Sequence, residues 1–156
     1  MGADSPFDQI EFAIFSSHTF GFHNFIWGGQ YNTSLNYDDD LPIYGLYAGG
    51  GFFNMSGYEP NSLIGPHFGS VLLGYRYQVA KSGFLPGYVG MTVEYGNATD
   101  DRSDIFSDGL LNGSAYFGYK TPLGPIYIGI GWSEDRSALY FLRFGTLLSG
   151  RRLGRR

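Results

Sequence analysis

Cysteine is absent from the chain, which excludes a disulfide framework and a thiolate metal site. Charge is scarce: Asp, Glu, Lys and Arg make up 15% of residues, against about 25% in an ordinary soluble domain. No apolar run approaches the ~18 residues of a membrane-spanning helix. The opening Met1-Gly2-Ala3-Asp4 has neither the basic nor the apolar region of a secretory signal. If the protein is exported, this sequence is therefore expected to be a mature form or a fragment. Basic residues are few and uneven, because four of the ten are Arg151, Arg152, Arg155 and Arg156. The rest of the chain is the more acidic for it, which argues against a nucleic-acid partner. No Gly-x-Ser-x-Gly elbow is present, so a hydrolase nucleophile of that type is missing.

What the chain has in abundance is glycine and aromatics, with 25 Gly, 14 Phe and 13 Tyr among 156 residues. That length suffices for one domain with a sizeable core. The residues alternate apolar and polar in short segments, clearest in Ile126-Tyr127-Ile128-Gly129-Ile130-Gly131-Trp132. A period of two is a β-strand with two unlike faces. Eight such strands are expected, over about 9–17, 23–35, 44–53, 68–79, 87–96, 111–120, 126–132 and 137–144. One face carries bulky apolar residues ending in Tyr or Trp. The other carries Gly, Ser, Thr, Asn, Gln or a charge.

A soluble barrel buries its bulky face, whereas a membrane barrel turns it to lipid and rings it with aromatics. Mean hydropathy of -0.13 does not argue against the membrane case, because a barrel strand presents only alternate residues to lipid. The many Gly and Tyr on the small face suit a narrow lumen, where Gly lets backbone and large rings approach closely. On this reading Trp27, Tyr75, Tyr77, Ile126, Ile128, Ile130, Trp132 and Tyr140 form a lipid-facing belt. Glu11, Arg76, Glu94, Lys120 and Arg143 point into the lumen and are expected to form paired networks, since buried charges need partners.

The connections alternate in length, as in outer-membrane barrels. Segments 36–43, 80–86 and 121–125 read as turns on one side. Segments 54–67 and 97–110 read as long loops on the other. The tail after Gly145 falls on the turn side, where its arginines either meet anionic headgroups or form a solubilising extension. His18, His23 and His67 are loop and interface residues unless they converge with carboxylates to hold a metal. Asp100, Asp101, Asp104 and Asp108 make an acidic loop, which reads as a solvated one. No catalytic residue, cofactor or resident metal is expected.

Three segments resemble the C-terminal half of the bacterial surface-antigen barrel, the BamA/TamA-type family. They look closest to the translocator barrel of patatin-like (type Vd) autotransporters. The first segment runs from Leu41-Pro42-Ile43-Tyr44 through Gly49-Gly50-Gly51 to Phe52-Phe53-Asn54-Met55-Ser56-Gly57-Tyr58. It is similar to the family's Leu-Pro turn, Gly-Gly strand and long extracellular loop. The second is Pro86-Gly87-Tyr88-Val89-Gly90-Met91-Thr92-Val93-Glu94-Tyr95-Gly96-Asn97. The third is Lys120-Thr121-Pro122-Leu123-Gly124-Pro125-Ile126-Tyr127, similar to the turn before the last two strands. The resemblance covers about residues 8–145 and implies the last eight of sixteen strands. It also implies that Asn54, Met55, Ser56, Gly57 and Tyr58 form a plug or gate. Ser56 stands where the family has an Arg that folds into the lumen against an inward acid. That departure puts the family's lock in doubt, and Glu94 is expected to pair with Arg76 instead.

The expectation is an all-β, antiparallel transmembrane barrel in the bacterial outer membrane, residues 8–145, between an extension (1–7) and a basic tail (146–156). Eight strands either close alone or pair with a second copy or a missing half to reach sixteen. The role is passive: translocator, pore or membrane anchor, with the lipid bilayer and a translocated passenger as partners. Two other readings stay open. A small outer-membrane lipid-modifying enzyme would need a polar catalytic cluster at the loop end. A soluble, lipocalin-like ligand-binding barrel would turn the Ile126 face inward.

Overall fold

The computed structural model describes residues 8–35, 43–79 and 87–145. The turn sequences at 36–42 and 80–86, the extension 1–7 and the basic tail 146–156 lie outside the described residues. The chain is all-β apart from one 3₁₀ turn, Ile43–Gly45, and one helical turn, α1 (Asp104–Ser107). The strands are β1 (Asp8–Phe20), β2 (His23–Leu35), β3 (Tyr47–Gly49), β4 (Leu63–Gly65), β5 (His67–Gln78), β6 (Gly87–Thr99), β7 (Leu110–Thr121), β8 (Gly124–Ser133) and β9 (Arg136–Phe144). Seven of them form one antiparallel sheet in the order β1-β2-β5-β6-β7-β8-β9. Every neighbouring pair in it is antiparallel. In this sheet β1 and β9 each have one neighbour.

Seven of the eight expected strands are therefore sheet strands, and the third is not. Only Tyr47–Gly49 of that segment is extended, and it pairs with Leu63–Gly65 in a separate two-stranded ribbon. The cause is the glycine run after it. Gly50 and Gly51 adopt φ of 110° and 94°, a region open to Gly but closed to most L-residues. The chain turns there instead of continuing across the sheet. β2 consequently pairs directly with β5, so that Leu35 and His67 lie at the same end of the sheet.

The alternation sets the two faces. Register aligns Trp27, Leu73, Val93, Gly113 and Trp132 across β2, β5, β6, β7 and β8. A second outward row joins Tyr77, Val89, Phe117, Ile128 and Leu142. These side chains are exposed: Leu73 is 68% accessible, Val93 52%, Ile128 58% and Leu142 60%. The opposite face, called inner below, is buried. Ile26, Leu72, Thr92, Glu94, Ser114, Tyr116 and Tyr127 are at most 6% accessible there. What covers them is the chain's own segment from Gly50 to Ser62, folded back across the sheet. Phe52 and Phe53 join Ile26, Leu72, Tyr116 and Tyr127 in one apolar cluster, with Phe141 packed against it. Met55 and Tyr58 join Tyr47 and Phe68 in a second.

At the other end of the sheet the connections are tight, with Gly21 (φ 63°) in the β1–β2 turn and Thr121 Oγ1 donating to the Gly124 carbonyl at 2.6 Å in the β7–β8 turn. α1 caps the loop end: Ile105 is fully buried, over Gly69, where a Cβ would meet its side chain.

Candidate functional site: a loop docked on the inner face

The polar core of the inner face is Glu94. Period two puts it inward, next to Thr92 on β6 and opposite Asn112 on β7, and it is 1% accessible. Its carboxylate accepts three hydrogen bonds. The Ser56 backbone N–H donates to Oε2 at 2.6 Å. The Ser56 hydroxyl donates to Oε1 at 2.6 Å, and the Thr92 hydroxyl donates to the same oxygen at 2.7 Å. Because Thr92 spends its proton on Glu94, the Ser114 hydroxyl, 2.6 Å away, is the donor to Thr92. The Phe53 N–H donates in turn to Ser56 Oγ at 3.1 Å. Ser56, Thr92 and Ser114 are all at most 1% accessible, so the chain of donors runs entirely out of water. Bonds to a carboxylate are the stronger kind, worth about 1.5–3 kcal/mol each.

The loop is shaped to reach that acid. Gly50 N–H donates to the Asn54 carbonyl at 2.8 Å, Gly51 N–H to Tyr58 at 2.8 Å and Tyr58 N–H to Met55 at 3.0 Å. These bonds fold the segment into a compact knot. Phe53 and Met55 sit at φ of 66° and 71°, each a strained conformation of order 1–3 kcal/mol. The Glu94 bonds between and beside them offset that cost. Two glycines then let backbone lie on backbone. A Cβ on Gly57 would overlap the Trp132 carbonyl and the Ser133 nitrogen, and one on Gly131 would overlap the Ser56 carbonyl.

Other contacts tie the loop to every sheet strand from β2 to β9. Gln30 on β2 donates to Asn54 Oδ1 at 2.5 Å. Asn112 on β7 points its amide at Met55 Sδ, 3.8 Å away. Phe52 stacks on Phe141 of β9 with ring centres 4.3 Å apart and meets Tyr116 edge-on at 4.8 Å. Arg143 reaches the Phe52 carbonyl at 3.5 Å. At the loop end, Tyr58 donates to Asp135 at 2.6 Å, Ser133 donates to Asp135 at 2.8 Å, and the Arg136 guanidinium lies 4.8 Å over the Tyr58 ring.

The residues expected to plug the lumen, Asn54 to Tyr58, are thus the ones that contact the inner face. The five expected lumen charges do not form one network. Glu94 binds Ser56 and Thr92, not Arg76, so that expected pair is corrected. The physical reason is reach: the loop brings a hydroxyl and a backbone N–H into direct contact with the acid. Arg76 lies over the Tyr88 ring, 5.2 Å from its centre, and its buried Nε has no hydrogen-bond partner among the described residues. Glu11 on β1 and Lys120 at the turn end are exposed. The eight belt residues all share the outward face. Trp27, Tyr77, Ile128, Trp132 and Tyr140 are exposed, while Tyr75, Ile126 and Ile130 are half-buried. Missed by sequence reasoning were the Thr92–Ser114 relay and the Tyr58–Asp135 contact. The first had a signal, two inward hydroxyls beside an inward acid; the second had none.

The histidines are dispersed. His18 is 3.3 Å from Ser16 Oγ, His23 is 2.8 Å from the Tyr75 hydroxyl, and buried His67 is 2.6 Å from Thr33 Oγ1. Among the described residues no three of His, Asp and Glu converge as metal ligands. In the acidic loop, Asp101 accepts from the Ser103 backbone and hydroxyl, which hold its carboxyl below the usual range. Among the described residues no helix is long and apolar enough to cross a membrane. No protein-family model, curated protein or solved structure matches the chain.

Two predictions test the docking. Glu94→Gln presents an amide donor where Ser56 and Thr92 already donate, and should weaken loop docking by about 1–3 kcal/mol. Limited proteolysis should then cut within 50–62 at least several-fold faster, and an unchanged rate would refute the assignment. The Tyr58 and Ser133 hydroxyls hold the Asp135 carboxyl below its ordinary value, Tyr58 being the larger cause. A lowered carboxyl stabilises the fold above its unfolded pKa of about 3.9 and stops doing so as pH falls through the folded value. Tyr58→Phe should move the Asp135 titration, followed by carboxyl NMR, back up toward 3.9.

Proposed function

We propose that this chain is a sector of a bacterial outer-membrane β-barrel, serving as a translocator, pore or membrane anchor in a passive role. The observation that carries the reading is the inversion of the sheet. Its bulky face is bare and its small, polar face is covered by its own loop. A soluble protein exposing such a face would carry an apolar patch far above what monomers tolerate. In lipid the same face is at home.

The outward positions of β2 and of β5 to β9 from His23 to Phe144 include no Asp, Glu, Lys or Arg. Aromatics gather at the turn end of that face. Phe22, His23, Tyr75 and Tyr77 lie within 5.2–6.1 Å of a ring neighbour, and Phe117 lies 4.5 Å from Tyr119. Rings of this kind suit a membrane–water interface. A lipocalin-like barrel needs the Ile126 face inward, and here Tyr127, Gly129 and Gly131 face the loop instead. The resemblance to the surface-antigen barrels adds a role for the docked segment, which obstructs the inner surface as a plug does. The translocated passenger belongs to the translocator form of this reading.

Ile128→Arg should oppose folding into phospholipid vesicles by roughly 2–4 kcal/mol, as expected for a cation near the midplane. Fluorescence of Trp27 and Trp132 should be quenched by brominated acyl chains when the unmodified protein is folded in vesicles. An Ile128→Arg chain that folds as well as the unmodified one, or Trp fluorescence indifferent to bromine, would sink the reading.

A further inference from the structure

Among the described residues the sheet ends at two edge strands, β1 and β9, whose directions constrain what completes it. Six antiparallel steps separate β1 from β9, so the two edges run the same way. A closed, wholly antiparallel barrel needs its last gap bridged by an odd number of strands. β1 paired with β9, within one chain or around a ring of copies, would be a parallel seam. Single-chain bacterial barrels have an even number of antiparallel strands. An inverted copy would make antiparallel seams but would put its docked loop at the opposite membrane face.

The inner face sets a second, independent limit. A barrel of about eight strands is just filled by its own side chains. Here Phe52, Phe53, Met55 and Tyr58 of the loop already occupy the space over β5 to β9. The loop also overhangs the β9 edge, where a cleft of about 520 Å³ lies between Phe52, Tyr58, Leu139 and Phe141. The lumen therefore belongs to a barrel larger than eight strands.

We infer that the chain is completed by a β-segment that is not a copy of itself, one that supplies an odd number of at least three membrane-spanning strands. Its two end strands run antiparallel to β1 and to β9. Its alternation matches theirs, with small or polar residues continuing Glu11, Ala13 and Ser17 inside, and apolar ones continuing Phe12, Ile14, Tyr140 and Leu142 outside. Both edges are built for addition. All of β1 except Ser16 is exposed, and neither edge strand carries the proline that natural edges use against pairing. This inference rests on the membrane reading above.

The test exploits the absence of native cysteine. Pairs of cysteines are placed in protein folded into phosphatidylcholine vesicles and treated with a short bis-maleimide. Ile130→Cys with Tyr140→Cys, register partners in β8 and β9, is the folding control. Ile14→Cys with Tyr140→Cys reports any β1–β9 seam. A third protein repeats residues 87–133 after β9, adding three strands and making the count even, with a cysteine in the last added strand and one at Ile14. The expected result is near-complete linkage of the control, background for β1–β9, and linkage of the last added strand to β1. A β1–β9 link, within one chain or between two, would overturn the inference. So would a lengthened chain that links its control pair but not its edges. Failure of the control pair in vesicles, with linkage in detergent-free buffer, would instead overturn the membrane reading itself.

Discussion

A carboxylate buried in the middle of a sheet face is the constraint on which the rest depends. Glu94 is 1% accessible to solvent, and a buried acid without hydrogen-bond partners is costly. The sheet alone offers it one donor, Thr92. The other two come from Ser56, thirty-eight residues away. Satisfying Glu94 therefore means bringing the loop across the sheet and holding it in one place. The glycines follow from that requirement. Gly57 and Gly131 are bare because the loop backbone must touch the β8 backbone for Ser56 to reach the acid. The left-handed turns at Phe53 and Met55 follow too, since they aim Ser56 downward and both neighbouring side chains into apolar clusters.

Placing an acid inside and isoleucine outside reverses the usual arrangement of a soluble sheet. The inner face cannot form a core from its own residues, because it is largely Gly, Ser, Thr, Asn and Gln. Phe52 and Phe53 supply the missing bulk, stacking against Tyr116, Tyr127 and Phe141. Apart from α1 over Gly69 at the loop end, the outer face gains no such cover among the described residues, and cross-strand contacts there are local. Trp132 lies across Gly113, and the aromatics of β2 and β5 pair at the turn end. Packing thus stabilises one side of the sheet and leaves most of the other uncovered among the described residues.

Much of this was legible because a period of two is strict. Once Ile128 is assigned outward, Tyr127, Gly129 and the partners across β7 and β9 are fixed as well. Strand bounds held to within a few residues wherever alternation was unbroken. The reading failed at 44–53, where Tyr47, Gly49 and Gly51 still alternate on paper. Alternation does not report φ, and the positive φ of Gly50 and Gly51 ends the strand. The Ser56–Glu94 contact was illegible for another reason. The sequence offered Arg76 as the partner of Glu94, because a charged side chain is visible in a pattern. A hydroxyl and a backbone N–H satisfy the acid instead, and no sequence pattern marks a backbone donor.

The docked loop and the open edges bear on each other. On the barrel reading proposed above, a loop of this size needs a wide lumen, and seven strands cannot enclose one. Yet it binds strands from β2 to β9 through contacts that need no further wall. The loop thereby does for the sheet what a core does for a soluble domain: it fixes strand order and register from β2 to β9. An edge held in register by packing is a better template than a slack one. On that reading, the same feature that narrows the lumen prepares β1 and β9 to accept the strands that would close it.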